Sequence, residues 1–230
     1  MPSPEPTLRR DAQRTRDRLI EATGALLEHS GPDFTLPELA KEAGVGTATV
    51  YRHFADTTQA HQEFEKHTVA GLSQLIRTLP SHLSGRQRFE RICAGWVKRS
   101  QTEVAPARFI RSPQGFLERQ SRQQEPQMNE LAAALRSALQ DLIGEGVLPD
   151  QDLDIAALLW ITLFDERVVV DLTRSRRWSA NHIAVFLGDA LLRTLGATTD
   201  PLAEGASADA TRRKNTSTGT AEPTTGSANP

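Results

Sequence analysis

Residues Leu36 to Phe54 read LPELAKEAGVGTATVYRHF, and their order decides the fold. Thr35 stands just ahead of them and Glu38 follows three residues later. In that arrangement a hydroxyl and a carboxylate satisfy each other's free backbone donors at a helix start. Pro37 falls in the first turn, where the helix needs no amide hydrogen. Leu36, Leu39, Ala40 and Ala43 then share one face of a helix about two turns long. Gly44 closes that helix, because glycine takes the positive backbone angle that a helix stop often requires. Val45 plugs the turn, and Gly46 sits where the next helix begins. Thr47 to Phe54 forms that second short helix, with Val50 and Phe54 four apart and facing inward. Two short helices joined by a tight glycine turn match the helix-turn-helix unit.

In such a unit the second helix enters the major groove of duplex DNA with its N-terminus first. Small side chains at Thr47, Ala48 and Thr49 let its backbone approach base edges and phosphates, and a helix start offers free amide hydrogens to a phosphate oxygen. Tyr51, Arg52 and His53 lie one turn further on and reach the flanking backbone with hydroxyl, guanidinium and imidazole donors. An ordinary pair of packed helices, with Phe54 and Tyr51 as core, is the competing reading. The capping pair, the glycine turn and the aromatic and basic cluster, in that order, favour DNA.

Working outward, Leu19, Ile20, Thr23, Leu26 and Leu27 recur at three and four residues and make one face of a preceding helix that Gly31 and Pro32 end. Asp56 caps a long helix from Thr57 to about Leu79. Phe89, Ile92, Cys93, Trp96 and Val97 share a face between about Gly85 and Thr102. Pro106, Pro113 and Pro126 cut the stretch from Glu103 to Gln127 into short pieces. Leu131, Leu135, Ala138, Leu139, Leu142 and Ile143 define a further helix, stopped by Gly144 and Gly146. From Asp152 to about Arg174 one helix is expected that is apolar nearly all the way round in its first half, so it must be covered on every side. Ala180 to Leu195 is the last, and Gly196 ends it. The alternating pattern of strands is absent, and the chain is expected to be all-α.

The sequence is expected to divide into a flexible basic arm over 1–13, a helix-turn-helix domain over 14–60, a helical region over 61–196, to which the family resemblance given below assigns effector binding and dimerisation, and a disordered tail over 197–230. Beyond Ala197 the composition turns to Thr, Ser, Ala, Gly, Pro and Asn, which buries too little surface to offset its ordering entropy. The cationic run Arg212-Arg213-Lys214 reads as solvated charge.

The 230 residues carry 38% hydrophobic and 24% charged residues, the balance of a globular chain. No uncharged apolar run is long enough to span a bilayer. The N-terminal stretch is positive without an apolar core behind it, so a cytoplasmic location and no membrane partner are expected. A single cysteine, Cys93, excludes an internal disulfide and multi-cysteine metal sites. The net charge of −2 does not advertise a polyanion partner, but Arg9, Arg10, Arg14, Arg16 and Arg18 face only Asp11 and Asp17 between Thr7 and Arg18. A local basic arm of that kind attracts phosphate whatever the total charge.

The run from about Arg16 to Phe64, above all LPELAKEAGVGTATVYRHF, resembles the N-terminal DNA-binding domain of the tetracycline-repressor (TetR) family. The resemblance implies a three-helix head ahead of a larger helical ligand-binding and dimerisation domain. It also implies that Thr35 and the helix it caps abut phosphate, that Thr47 and Ala48 sit nearest the bases, and that Thr49, Tyr51 and His53 contact the backbone. The sequence departs from the family in two places. Gly46 stands where a hydroxyl residue is frequent, and Thr57-Thr58 stands where a phosphate-binding lysine and an acidic residue are common. Arg52 or the arginine arm would then supply the missing charge.

His61 and His67 are six apart and fall on different faces of a helix, so no metal site is expected. No cofactor is implied. Asp165-Glu166-Arg167 interrupts the most apolar segment; without a nucleophile or a phosphate loop beside them these residues make no catalytic set, so no enzyme is expected. They read as an ion pair where the helix emerges, or as a polar spot in a ligand pocket. Trp96, Phe109, Phe116, Trp160 and Phe164 are the candidates for the wall of a small-molecule cavity, with core packing as the competing role. The resulting expectation is a ligand-responsive, homodimeric transcriptional repressor that binds double-stranded DNA at a palindromic operator and releases it on binding an unidentified small-molecule effector. A helical adaptor with a vestigial DNA-binding head is the alternative.

Overall fold

A computed structural model describes residues 5–102, 105–109, 114–121 and 125–197. The expected tail over 197–230 lies outside them except for Ala197. Every regular element among the described residues is helical, as the sequence implies: α1 (Glu5–Ser30), α2 (Leu36–Ala43), α3 (Thr47–His53), α4 (Thr57–Arg77), α5 (Gly85–Thr102), a 3-10 turn (Ala105–Phe109), α6 (Phe116–Ser121), α7 (Pro126–Gly144), α8 (Leu153–Leu163), α9 (Glu166–Ser175) and α10 (Ala180–Thr194).

These helices pack as one unit around two apolar cores. The smaller joins Leu19, Leu27, Phe34, Leu39, Val50, Phe54 and Phe64 from α1 to α4. The larger is built on Phe89, Ile92, Trp96, Leu135, Leu139, Trp160 and Leu187 from α5, α7, α8 and α10. Helix α4 serves both, giving Phe64 to the first and Leu72 and Ile76 to the second. Two glycines permit close helix approaches. A Cβ on Gly24 would lie 2.6 Å from the Phe64 ring, and one on Gly85 would lie 2.9 Å from the backbone carbonyl carbon of Asp141 on α7.

Two expectations change. Residues 5–13, expected as part of a flexible arm, are the first turns of α1. No glycine or proline separates them from the amphipathic part, and the Gln13 amide donates to the Asp17 carboxylate one turn on at 2.7 Å. The single helix expected from Asp152 to about Arg174 is two. The backbone leaves the helical region at Asp165 (φ −53°, ψ 135°), whose carboxylate accepts the Arg167 amide at 2.8 Å and so starts α9 afresh. Helix α8 is also not covered all round: Ile155 is exposed, and Leu158, Leu159 and Ile161 are half-buried.

Candidate nucleic-acid interface and interior cavity

The turn between α2 and α3 has the form its sequence dictates. Thr35 caps α2 by accepting the Glu38 amide at 3.4 Å, while the Glu38 carboxylate accepts the Thr35 amide at 2.7 Å and the Thr35 hydroxyl at 2.8 Å. Those two donors from Thr35, the backbone amide first, hold Glu38 below the usual carboxylate range. The Thr35 side chain is exposed, but its hydroxyl hydrogen is directed to Glu38. Gly44 adopts φ +62° and ψ 40°, the left-handed conformation that favours glycine. The amide of Val45 bonds to the Ala40 carbonyl at 3.0 Å and finishes the helix stop. From α1, the Arg18 guanidinium donates to the carbonyls of Ala43 and Gly44 at 2.5 and 3.1 Å, holding the turn against the first helix.

Gly46 is extended (φ −69°, ψ 143°), and its carbonyl accepts the Thr49 amide at 2.8 Å as α3 starts. Val50 and Phe54 are buried beneath α3. The opposite side carries Thr47, Ala48, Tyr51 and Arg52, all exposed, with Thr49 and His53 half-buried at its margins. Tyr51 is 56% exposed, which no core role explains. All six expected α3 residues therefore lie on or beside one accessible face, and Thr35 opens the neighbouring helix. Asp56 caps α4 by accepting the Gln59 amide at 2.8 Å, and Thr57 follows it as a neutral residue.

A second feature lies in the larger part of the molecule. A cavity of about 370 Å³ opens between α4, α5, α6, α7 and the junction of α8 with α9. Trp96, Phe116, Met128, Leu131 and Phe164 give it apolar walls, and Glu65, Arg119 and Asp165 give it polar ones. Arg119 is almost wholly buried and donates to Glu65 at 2.6 Å and to Glu125 at 2.9 Å. Burial by itself would lower its pKa, but the paired carboxylates of Glu125 and Glu65 outweigh it and raise the guanidinium above its ordinary value.

Of the five expected wall residues, Trp96, Phe116 and Phe164 border this cavity, whereas Trp160 and Phe109 do not. Trp160 is fully buried behind the wall, stacked on Trp96 at 6.5 Å and tilted against Phe89 at 4.9 Å. Phe109 turns outward, with the Arg108 guanidinium 4.2 Å over its ring. Arg119 and Glu65 escaped sequence reading. The first lies among scattered prolines without periodicity, and the second reads as one more charge on a long helix. Among the described residues, no group of three or more His, Cys, Asp or Glu side chains could hold a metal. His61 instead sits edge-on to the Phe34 ring at 5.1 Å, and its burial lowers its pKa. No helix among the described residues is long and apolar enough to cross a membrane.

A capped helix, a left-handed glycine turn and a short helix with one open face define a helix-turn-helix protein whose remaining helices enclose a cavity. Residues 19–59 match the model of the tetR family of bacterial regulatory proteins. Solved structures are similar across most of their length. The fatty acid degradation regulator FadR from Bacillus halodurans is 16% identical with a TM-score of 0.63, over 80% of this chain and 97% of that one. FadR from Bacillus subtilis in complex with stearoyl-CoA is 14% identical with a TM-score of 0.62, over 76% and 96%. A tetR-family regulator from Mesorhizobium loti is 19% identical with a TM-score of 0.52, over 80% and 96%. No curated protein sequence is similar enough to match.

Proposed function

We propose that the chain is a ligand-responsive homodimeric repressor whose α3 reads a palindromic operator. The observation that carries this reading is the division of α3 into a buried side, Val50 and Phe54, and an open side, Thr47, Ala48, Tyr51 and Arg52. Residues 14–60 act as the DNA-binding head and 61–196 as the effector and dimerisation domain. Thr47 and Ala48 approach base edges; Thr49, Tyr51, Arg52 and His53 hold phosphates. Thr35 acts at the start of α2, where it fixes the helix against the backbone it meets.

Two copies pair through α8 to α10. Ile155, Val168, Val185 and Phe186 are large apolar side chains exposed on those three helices, surface that a second copy would cover. The two-fold axis then sets the two α3 helices about one turn of DNA apart, roughly 34 to 36 Å.

The effector is a small, mostly apolar molecule with a polar group that meets Arg119, Glu65 or Asp165 in the cavity. Its route to the head runs along α9. That helix begins at the cavity wall with Asp165 and Glu166 and carries Arg174, which donates to Glu28 of α1 at 2.6 Å. An effector that prefers the arrangement with α9 displaced shifts α1 with it, and releases DNA in proportion to that preference.

The test compares α3 variants on a cognate duplex and a scrambled one. Tyr51→Ala weakens binding to both alike, because a phosphate contact carries no sequence information, whereas Thr47→Gln changes the ratio between them. Equal losses on both duplexes for Thr47→Gln would contradict the assignment. Absence of salt-dependent DNA binding by the unaltered chain would leave the adaptor reading instead.

A further inference from the structure

From the course of α1 we infer a second DNA contact: its first turns form a rigid arginine-bearing rod, and Arg10 and Arg14 hold operator phosphates beyond the α3 site. The inference rests on the DNA-binding reading above.

Three residues, Glu28, Arg16 and Arg18, fix the direction of α1. At its C-terminal end Glu28 accepts from Arg108 of the 3-10 turn at 2.7 Å and from Arg174 of α9 at 2.6 Å, so this end is held to the larger part of the molecule. Toward the middle, Arg16 pairs with Glu63 on α4 and Arg18 reaches the carbonyls of the α2–α3 turn. Residues 5–15 continue the same helix past that turn, away from the larger core. At a rise of about 1.5 Å per residue, Arg14 stands about 6 Å and Arg10 about 12 Å beyond Arg18 along the axis.

Residues 10, 14 and 18 follow one another at a spacing of four and share one side of the helix. Leu19, Thr23 and Leu27 occupy the other side and are fully buried. The rod therefore presents its arginines on the side that already meets the helix-turn-helix at Arg18. Arg16 and Arg18 are engaged within the fold, while the Arg10 and Arg14 side chains are exposed and make no hydrogen bond or ion pair with the described residues. The acidic groups nearby are Asp11, Asp17 and Glu21, and Asp17 accepts from Gln13. Thr57, at the start of α4, brings no charge to the phosphates. A helix fixed at three points positions its cations at little further entropic cost, which a flexible arm cannot do.

The experiment uses the full chain, a mixed-sequence duplex of about thirty base pairs and fluorescence anisotropy between about 50 and 300 mM NaCl. Each phosphate neutralised on duplex DNA contributes about −0.9 to the slope of log K against log salt. The double variant Arg10→Gln/Arg14→Gln is expected to flatten that slope by about 1.8 per protomer, with its thermal midpoint unchanged because both side chains are exposed. A second pair, Arg91→Gln/Lys98→Gln, removes the same charge from exposed positions on α5 and is expected to leave the slope in place. An unchanged slope for the first pair, or equal flattening by the second, overturns the rod while the α3 reading stands. If the unaltered chain binds no duplex at all, both fall together.

Discussion

Truncation of Phe186 to alanine gives the sharpest quantitative test of the pairing of two chains. The ring lies on α10, is 48% exposed and meets Trp178 at 5.1 Å edge to face. A phenylalanine buries on the order of 200 Å² when fully enclosed, so roughly 100 Å² remains for a partner to cover. At about 25 cal/mol per Å² that area is worth about 2.5 kcal/mol per protomer, and about 5 kcal/mol per dimer as an upper bound. Alanine keeps the Cβ and an interface rarely covers a whole ring, which brings the expected loss to about 2 to 4 kcal/mol. The dimer dissociation constant then rises about 30-fold to 1,000-fold, since about 1.4 kcal/mol is a factor of ten. Sedimentation equilibrium over a range of protein concentrations reads that change directly. The lost Trp178 contact adds about 1 kcal/mol within each protomer and lowers the thermal midpoint by about 2 to 4 °C, an effect independent of concentration. A variant that self-associates as tightly as the unaltered chain would refute the pairing through α10, as would an unaltered chain that stays monomeric throughout.

Gly85→Ala places a Cβ 2.9 Å from the Asp141 backbone, which cannot yield as a side-chain tip would. A loss of about 1 to 3 kcal/mol is expected, read as a fall in the thermal midpoint. Arg119→Met leaves Glu65 and Glu125 facing each other at the cavity edge without their shared cation. Breaking a buried pair in this way costs about 3 kcal/mol at neutral pH, measured by urea denaturation. Glu28→Gln tests the clasp between α1 and α9. Hydrogen bonding from Arg108, followed by Arg174, lowers the Glu28 pKa against the opposing effect of burial. A lowered carboxylate stabilises the fold above its ordinary pKa and loses that contribution as pH falls through the folded value. The gap in stability between the unaltered chain and Glu28→Gln is therefore full at pH 7 and closes in acid, below the usual carboxylate range. A gap independent of pH would contradict the role of the charge.

The helix-turn-helix was legible because its signals are local. The Thr35–Glu38 cap, the glycine at 44 and the spacing of Val50 and Phe54 each act within a few residues, and each appears in the structure as written. The aromatic wall was legible only in part. Helical spacing puts Trp96, Trp160 and Phe164 on inner faces but does not say which of them meets a void and which meets another ring. That depends on how α5 and α8 cross, and Trp160 turns out to lie behind Trp96. Arg119 could not be found from sequence, since its meaning comes from Glu65, 54 residues away. The break at Asp165 was visible as a charged interruption, yet an apolar run on either side outweighed it; the carboxylate acting as a cap decides otherwise. The α1 extension departs from expectation for the opposite reason: polar composition suggests an arm, but nothing in the chain stops the helix.

The proposed function requires that the open side of α3, repeated by two-fold symmetry, read duplex DNA. Selection of bound duplexes from a random pool by the purified chain tests it most directly. The expected product is an inverted repeat with half-site centres one helical turn apart, whose base preferences change in Thr47→Gln and persist in Tyr51→Ala at reduced affinity. Enrichment of no sequence, or of the same repeat with the same preferences by Thr47→Gln, would contradict it.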